Sequence, residues 1–239
     1  MTVLAPNRKK RIKKTGSHRP KSHPLPVPAQ RVLLHGLDWQ DYIQLGNILC
    51  DRPALRLTFD RGTLEIMVTS REHEFYKVRL GRLIEILAEE FNRRIDPGGN
   101  MTFQREELEK GLEPDNCWWI EHEEQVRGKL TWDPAVDPPP DLLLEIEVSR
   151  MARMAIYAAL KVPQVWCFDG KSLRVYLLQT DGTYRQANES PTFPGIPVGE
   201  IVPFVQPGED YLAVQNKFRA WVKRRRGRKA GRARKRNSK

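Results

Sequence analysis

Between Pro138 and Phe168 the chain reads PPPDLLLEIEVSRMARMAIYAALKVPQVWCF, which sets two carboxylates, Glu145 and Glu147, inside an otherwise apolar strand. Leu142, Leu143, Leu144, Ile146 and Val148 require that strand to be buried. An ionised carboxylate withdrawn from water costs several kcal/mol or more unless a cation, a donor or a metal pairs it. Any fold for this chain must therefore bury the strand and supply partners for its acids.

Local signals place the other elements around it. Asp38 is a candidate cap for a helix over 39–49, with Trp39, Tyr42, Ile43 and Leu45 as its apolar contacts. Residues 54–59 and 63–68 alternate about Asp60-Arg61-Gly62, the pattern of a hairpin. Ser70 can cap a helix over 71–94, whose apolar positions Phe75, Val78, Leu80, Leu83, Ile84, Ile86, Leu87 and Phe91 keep a 3.6-residue period until Pro97-Gly98-Gly99. Short strands are expected near 101–105 and 117–121, then the strand 141–148, a helix over 150–160, and strands near 164–168, 172–179 and 183–187. A loop with five prolines spans Pro191 to Pro207 and has room for one short helix, and a further helix starts near 209. This order predicts an α/β or α+β fold, with a mixed central sheet flanked by helices. Trp118, Trp119 and Trp166 are expected to pack in it rather than to stack on bases.

The net charge of +11 conceals a division. Residues 1–23 hold eight Lys/Arg and residues 217–239 hold thirteen, both without an acid, which leaves twenty basic residues between them to face all 30 acids. The expected organisation is a basic, Pro-rich disordered arm over 1–31, a globular domain over 32–207, and a helix over 208–239 that runs into a disordered basic tail. Arg8, Lys9, Lys10 and Arg11, with Lys223, Arg224, Arg225, Arg226, Arg228, Lys229, Arg234, Lys235 and Arg236, are candidates for neutralising nucleic-acid phosphates without reading bases. No apolar run is long enough to span a bilayer, and no hydrophobic stretch follows the basic N-terminus, so the expected location is cytoplasmic, without a membrane partner. Cys50, Cys117 and Cys167 make no metal-binding spacing and are expected to be reduced.

Side chains at i and i+2 of a strand share a face about 6.5–7 Å apart, so Glu145 and Glu147 lie together, opposite Leu142, Leu144, Ile146 and Val148. Asp141 is roughly 13 Å from Glu145 by the same rise, too far to share an ion with it, and belongs to the strand entrance. Glu113-Pro114-Asp115 precedes the segment CWWI; if that segment neighbours the buried strand, Asp115 and Glu145 converge at about 5 Å. Carboxylates gathered in this way suit Mg²⁺, a hard cation that takes oxygen ligands and keeps several waters.

Several blocks in order, PPPDLLLEIEV, IYAALKVPQVWCFDG, LRVYLL, LRLTFDRGTLEIMVTSREHEFYKVRLGRLIEIL and TFQREELEKGLEPDNCWW, resemble the Uma-type putative restriction endonuclease family, also called domain of unknown function 820. The resemblance spans about residues 32–207 and implies the PD-(D/E)xK restriction-endonuclease-like fold with cleavage of DNA phosphodiesters dependent on Mg²⁺ or Mn²⁺. It implies that Asp115 and Glu145 bind the metal and that Glu65 and His73 serve the site. Glu147 falls where the usual motif has its lysine and is expected to assist catalysis beside Glu145. The resemblance implies that the family's lysine has moved to the next helix, four residues before Tyr157, where this chain has Arg153, which is expected to contact the scissile phosphate. Arginine stays charged and cannot act as a base, although it grips phosphate well. Two readings stay open: a metal-dependent nuclease, and a catalytically weakened nuclease fold that binds nucleic acid. DNA is the expected partner; RNA and a homodimer stay open as further alternatives, although the sequence marks no interface for the latter.

Overall fold

The computed structural model describes residues 30–52, 54–146 and 150–237, with side chains omitted for 150–152 and 228–237. Residues 1–29 of the basic arm therefore lie outside the described residues, as does Glu147, while Gln30 and Arg31 are described.

The chain begins with an edge strand β1 (Gln30–His35), followed by α1 (Trp39–Leu49). Asp38 caps α1 as expected: its carboxylate accepts the Asp41 N–H at 2.8 Å while Asp41 accepts the Asp38 N–H at 3.0 Å. The hairpin follows as β2 (Leu55–Asp60) and β3 (Thr63–Val68). Its turn places Arg61 and Gly62 at φ of 41° and 85°, the two positive angles that match the twist of paired strands.

The long helix α2 (Arg71–Phe91) is capped by the Ser70 hydroxyl, which accepts the His73 N–H at 3.1 Å. It ends before the expected Pro-Gly-Gly. Asn92 enters the left-handed region at φ 52° and turns its N–H back to the carbonyls of Ala88 and Glu89, a termination that asparagine tolerates well. Val78 also departs from the expected apolar face and is exposed.

The remaining strands are β4 (Asp96–Pro97), β5 (Phe103–Arg105), β6 (Lys110–Leu112), β7 (Asn116–Trp119), β8 (Leu142–Ile146), β9 (Gln164–Phe168), β10 (Leu173–Leu178) and β11 (Tyr184–Ala187). The helices between and after them are α3 (Glu123–Val126), α4 (Arg150–Ala159) and α5 (Tyr211–Asn237), with a 3₁₀ turn over Val198–Phe204 in the proline-rich loop. The expected α+β class is present, but the strands divide into two sheets. One has the order β1-β3-β2-β6-β5 and the other β11-β10-β9-β8-β7-β4. The strand β6 carries no alternation that sequence could announce. Its position depends on Gly111, where a Cβ would lie 2.3 Å from the Tyr42 hydroxyl, so the ring of α1 rests directly on the β6 backbone.

The larger sheet has a core on each face. Leu142, Leu144 and Ile146 join Leu80, Leu83, Ile84 and Leu87 of α2 and Phe218 and Val222 of α5. Leu143 faces the other way, onto Ile156, Tyr157 and Leu160. The strand is buried on both sides, as its continuous apolar run requires. Trp118 and Trp166 have no exposed surface and Trp119 is nearly as enclosed, which bears out their role in packing.

Helix α5 continues to Asn237, where a disordered tail was expected. Arg, Lys and Ala favour helix, and its first half is fixed to α2. Arg219 Nη1 lies 3.5 Å from Glu90, Lys223 Nζ lies 3.7 Å from the same carboxylate, and Arg219 also pairs with Glu89.

Candidate active site

Four elements bring the predicted acids together. Strands β7 and β8 pair antiparallel with Asn116 opposite Leu144 and Cys117 opposite Leu143. Asp115, one residue before β7, thereby comes alongside Glu145, and its Oδ2 accepts the Ile146 N–H at 2.7 Å. The convergence expected from strand spacing is therefore present. Helix α2 adds His73, whose Nε2 lies 3.0 Å from Asp115 Oδ1. Within this contact neither ring nitrogen nor Asp115 Oδ1 has a well-aligned hydrogen-bond partner.

Helix α4 covers the other carboxylate. Arg153 Nη1 donates to Glu145 Oε2 at 3.0 Å, and its Nη2 donates to Glu65 Oε1 at 2.7 Å. Glu65 comes from β3, so this single guanidinium ties the smaller sheet to the larger. Arg31 of β1 also approaches Glu65, at 3.8 Å. Four residues after Arg153, on the same helix face, Tyr157 donates its hydroxyl to Glu145 Oε1. The sequence marked Tyr157 only as a landmark. Its spacing from Arg153 was the signal that both side chains reach one carboxylate.

His73, Asp115, Glu145 and Tyr157 are all fully buried, and Arg153 is 3% exposed. Burial pushes Glu145 up to about 7; the Asp115 charge adds to this, while Arg153 and the Tyr157 hydroxyl oppose it. Burial disfavours the charged form of His73, but the adjacent Asp115 outweighs it and raises the imidazole overall. Arg153 is held firmly charged: burial works against its charge, and Glu145 and Glu65 more than compensate.

Asp141 sits apart, at the entrance to β8. Its Oδ2 accepts the N–H groups of Ile120, Glu121 and His122 at 2.7, 2.9 and 3.0 Å, and its Oδ1 meets His122 Nδ1 at 2.6 Å. It closes the end of β7.

The expected phosphate-neutralising residues divide into three groups. Arg8, Lys9, Lys10 and Arg11 lie outside the described residues. Arg228, Lys229, Arg234, Lys235 and Arg236 lie on the α5 backbone, their side chains not described. Lys223, Arg224, Arg225 and Arg226 are described, and three of them engage the protein itself. Lys223 approaches Glu90 at 3.7 Å, Arg225 pairs with Glu200, and the Arg226 guanidinium lies 4.8 Å from the centre of the Phe91 ring.

Among the described residues, no group of three or more His, Cys, Asp or Glu side chains gathers closely enough to hold a metal. The donor chemistry nevertheless fits a hard divalent cation, since Asp115 Oδ1 is a buried carboxylate oxygen with no aligned donor and Glu145 stands beside it. Magnesium is commonly held by just one or two carboxylates, with water and substrate phosphate completing its shell.

A mixed sheet flanked by helices, with an Asp and a Glu brought together from adjacent strands, defines a protein of the restriction-endonuclease-like class. The family described as Uma2, putative restriction endonuclease, matches residues 39–214, and the chain belongs to that family. No curated protein matches the chain. No helix among the described residues is long and apolar enough to cross a membrane.

Proposed function

We propose that this chain is a nuclease that hydrolyses DNA phosphodiesters at the Asp115–Glu145 centre. The observation that carries this reading is the register of β7 on β8, which sets two buried acids side by side, joined by His73 and Arg153. Asp115 and Glu145 would hold Mg²⁺ or Mn²⁺, and such an ion supplies an activated water and stabilises charge on the phosphodiester. The Ile146 N–H and His73 orient Asp115. Tyr157 orients Glu145 through Oε1, and Arg153 presents a permanent positive charge for a phosphate oxygen. No lysine stands at Arg153, so that position provides no proton acceptor.

The basic residues of the N-terminal segment and of α5 bind the polyanion backbone without sequence preference. The test is a cleavage assay on plasmid and linear DNA with Mg²⁺ or Mn²⁺, with the Asp115→Ala/Glu145→Ala double variant as control. Cleavage is expected in the native chain and not in the variant. Equal cleavage in both, or none with any metal, overturns the reading.

One observation favours a second reading, a nuclease fold whose role is nucleic-acid binding. Arg153 is fastened to both Glu65 and Glu145 rather than facing outward. On this reading DNA binding is salt-sensitive and indifferent to metal, and Arg153→Lys gains no cleavage.

A further inference from the structure

Strand β6 is too short to fill the smaller sheet. It pairs with β2 only over Thr58–Asp60, although β2 runs back to Leu55 beside β3. Its other neighbour, β5, begins at Phe103. After Leu112 the chain leaves for β7, so a notch opens between Leu55–Leu57 and the residues that precede β5. Helix α1 backs this notch and completes a cavity of about 510 Å³, a size usual for small-ligand sites. Tyr42 and Arg56 are buried in its wall, Gln104 and Glu113 are half-buried, and Asn47, Arg52 and Asn100 stand exposed at its mouth.

Two kinds of polar group meet there. The Glu113 carboxylate accepts the Thr102 hydroxyl at 3.3 Å and the Leu57 N–H, and lies in the field of Arg56. A carboxylate has about four lone-pair sites, so acceptor capacity remains. Arg56 brings a fork of donors, held in place through one N–H on the Leu55 carbonyl at 2.8 Å. The Tyr42 hydroxyl accepts from Gln104 at 3.2 Å and has its own hydrogen to donate. The helix wall adds an independent observation. Gly46 lies inside α1, where glycine weakens a helix. A Cβ there would meet Leu57 Cδ1 at 3.9 Å, an ordinary contact, so packing does not demand glycine. What the missing side chain provides is room in the cavity.

We propose that this notch is a guanine-binding pocket. Guanine carries two neighbouring donors, N1–H and N2–H₂, on one edge and two acceptors, O6 and N7, on another. The two oxygens of Glu113 match the first pair, and the fork of Arg56 matches the second. Adenine would turn a bare N1 toward the carboxylate, and each pyrimidine offers only one donor group on that edge. Leu55 and Leu57, with Ile43 and Leu49 of α1, supply apolar surface for the ring faces. Arg52 at the mouth suits the phosphate of a nucleotide. The base arrives either on a free nucleotide or extruded from a nucleic acid. The pocket shares no residue with the Asp115–Glu145 centre, so guanine binding holds whether or not the chain cuts DNA.

The experiment is calorimetric titration of the four deoxynucleoside monophosphates, and of oligothymidylates with and without one central guanosine, into the native chain, Glu113→Gln and Gly46→Leu. The expected result is binding of guanine about tenfold to a hundredfold tighter than the other bases. That preference disappears in Glu113→Gln and in Gly46→Leu, whose leucine enters the cavity while favouring the helix. The oligonucleotides separate the two sources, because backbone binding is the same with and without the guanosine. A gain from the guanosine larger than the preference among monophosphates assigns the pocket to an extruded base, and a smaller gain assigns it to a free nucleotide. Equal binding of the four monophosphates with no gain from the guanosine overturns the proposal, as does a guanine preference that persists in either variant. If a variant does not fold, the comparison of bases in the native chain decides.

Discussion

Tyr157→Phe removes one hydroxyl from the centre and leaves the ring in place among Ile156, Leu160 and Leu143. Tyr157 has no exposed surface, so no water replaces the lost donor to Glu145 Oε1. A hydrogen bond to a charged group contributes about 1.5–3 kcal/mol. For a chain of this length about 2 kcal/mol corresponds to a fall in melting temperature of about 4–8 °C. The loss depends on pH. The hydroxyl opposes the upward push on Glu145, so its removal moves that carboxyl above about 7. Below this point Glu145 is protonated and the bond is an ordinary neutral one, which contributes about 1 kcal/mol. The penalty should therefore grow between pH 6 and pH 8.5. The assay is urea denaturation of the native chain, Tyr157→Phe, Glu145→Gln and the double variant at both pH values. The coupling energy between the two positions should be roughly 1.5–3 kcal/mol at the higher pH. A coupling below about 0.5 kcal/mol, or a penalty that does not change with pH, would refute the assignment of Tyr157 as the residue that positions Glu145.

Two further outcomes follow from the same structure. Glu145 lies at about 7 when folded against a usual 4.5, so its contribution to stability is complete below the unfolded value and is lost as pH rises through about 7. The raised His73 acts in the same direction; the Glu145 part is on the order of 3 kcal/mol, and in urea titrations from pH 5 to 8.5 Glu145→Gln should flatten the decline. Deletion of residues 227–239 removes seven Lys/Arg and should make the plot of log binding constant against log salt shallower by up to ~6 in DNA binding measured by fluorescence anisotropy; an unchanged slope removes the part of α5 beyond Arg226 from the interface.

What was legible in the sequence was local, or followed from strand geometry. The Asp38 cap, the Asp60-Arg61-Gly62 turn and the alternating faces of β8 each depend on neighbours within a few residues. The meeting of Asp115 and Glu145 needed only the assumption that two short strands pair. The fork of Arg153 was not legible, because nothing near Arg153 points to Glu65, 88 residues earlier. The same holds for β6, which depends on a tyrosine ring settling on Gly111. The end of α2 was misplaced because Asn92 makes its own left-handed turn before the Pro-Gly-Gly signal is reached. In α5 a run of like charge argued for disorder, yet Phe218 and Val222 buried in the core, with the acids of α2 alongside, anchor a helix that the charged end continues.

That last helix alters how the positive charge can act. A flexible tail samples a sphere and offers its cations to any strand within reach. A helix advances about 1.5 Å per residue, so the stretch from Lys223 to Asn237 is a rod about 20 Å long, seated at its base on Glu90 and Phe91. The backbone of this stretch follows a single axis set by α2. On the proposed nucleic-acid role, a polyanion laid along that axis would meet its cations in succession, whereas one that crosses it would meet only a few, so the rod would favour one direction of approach for a duplex and would lose little conformational entropy when the duplex arrives.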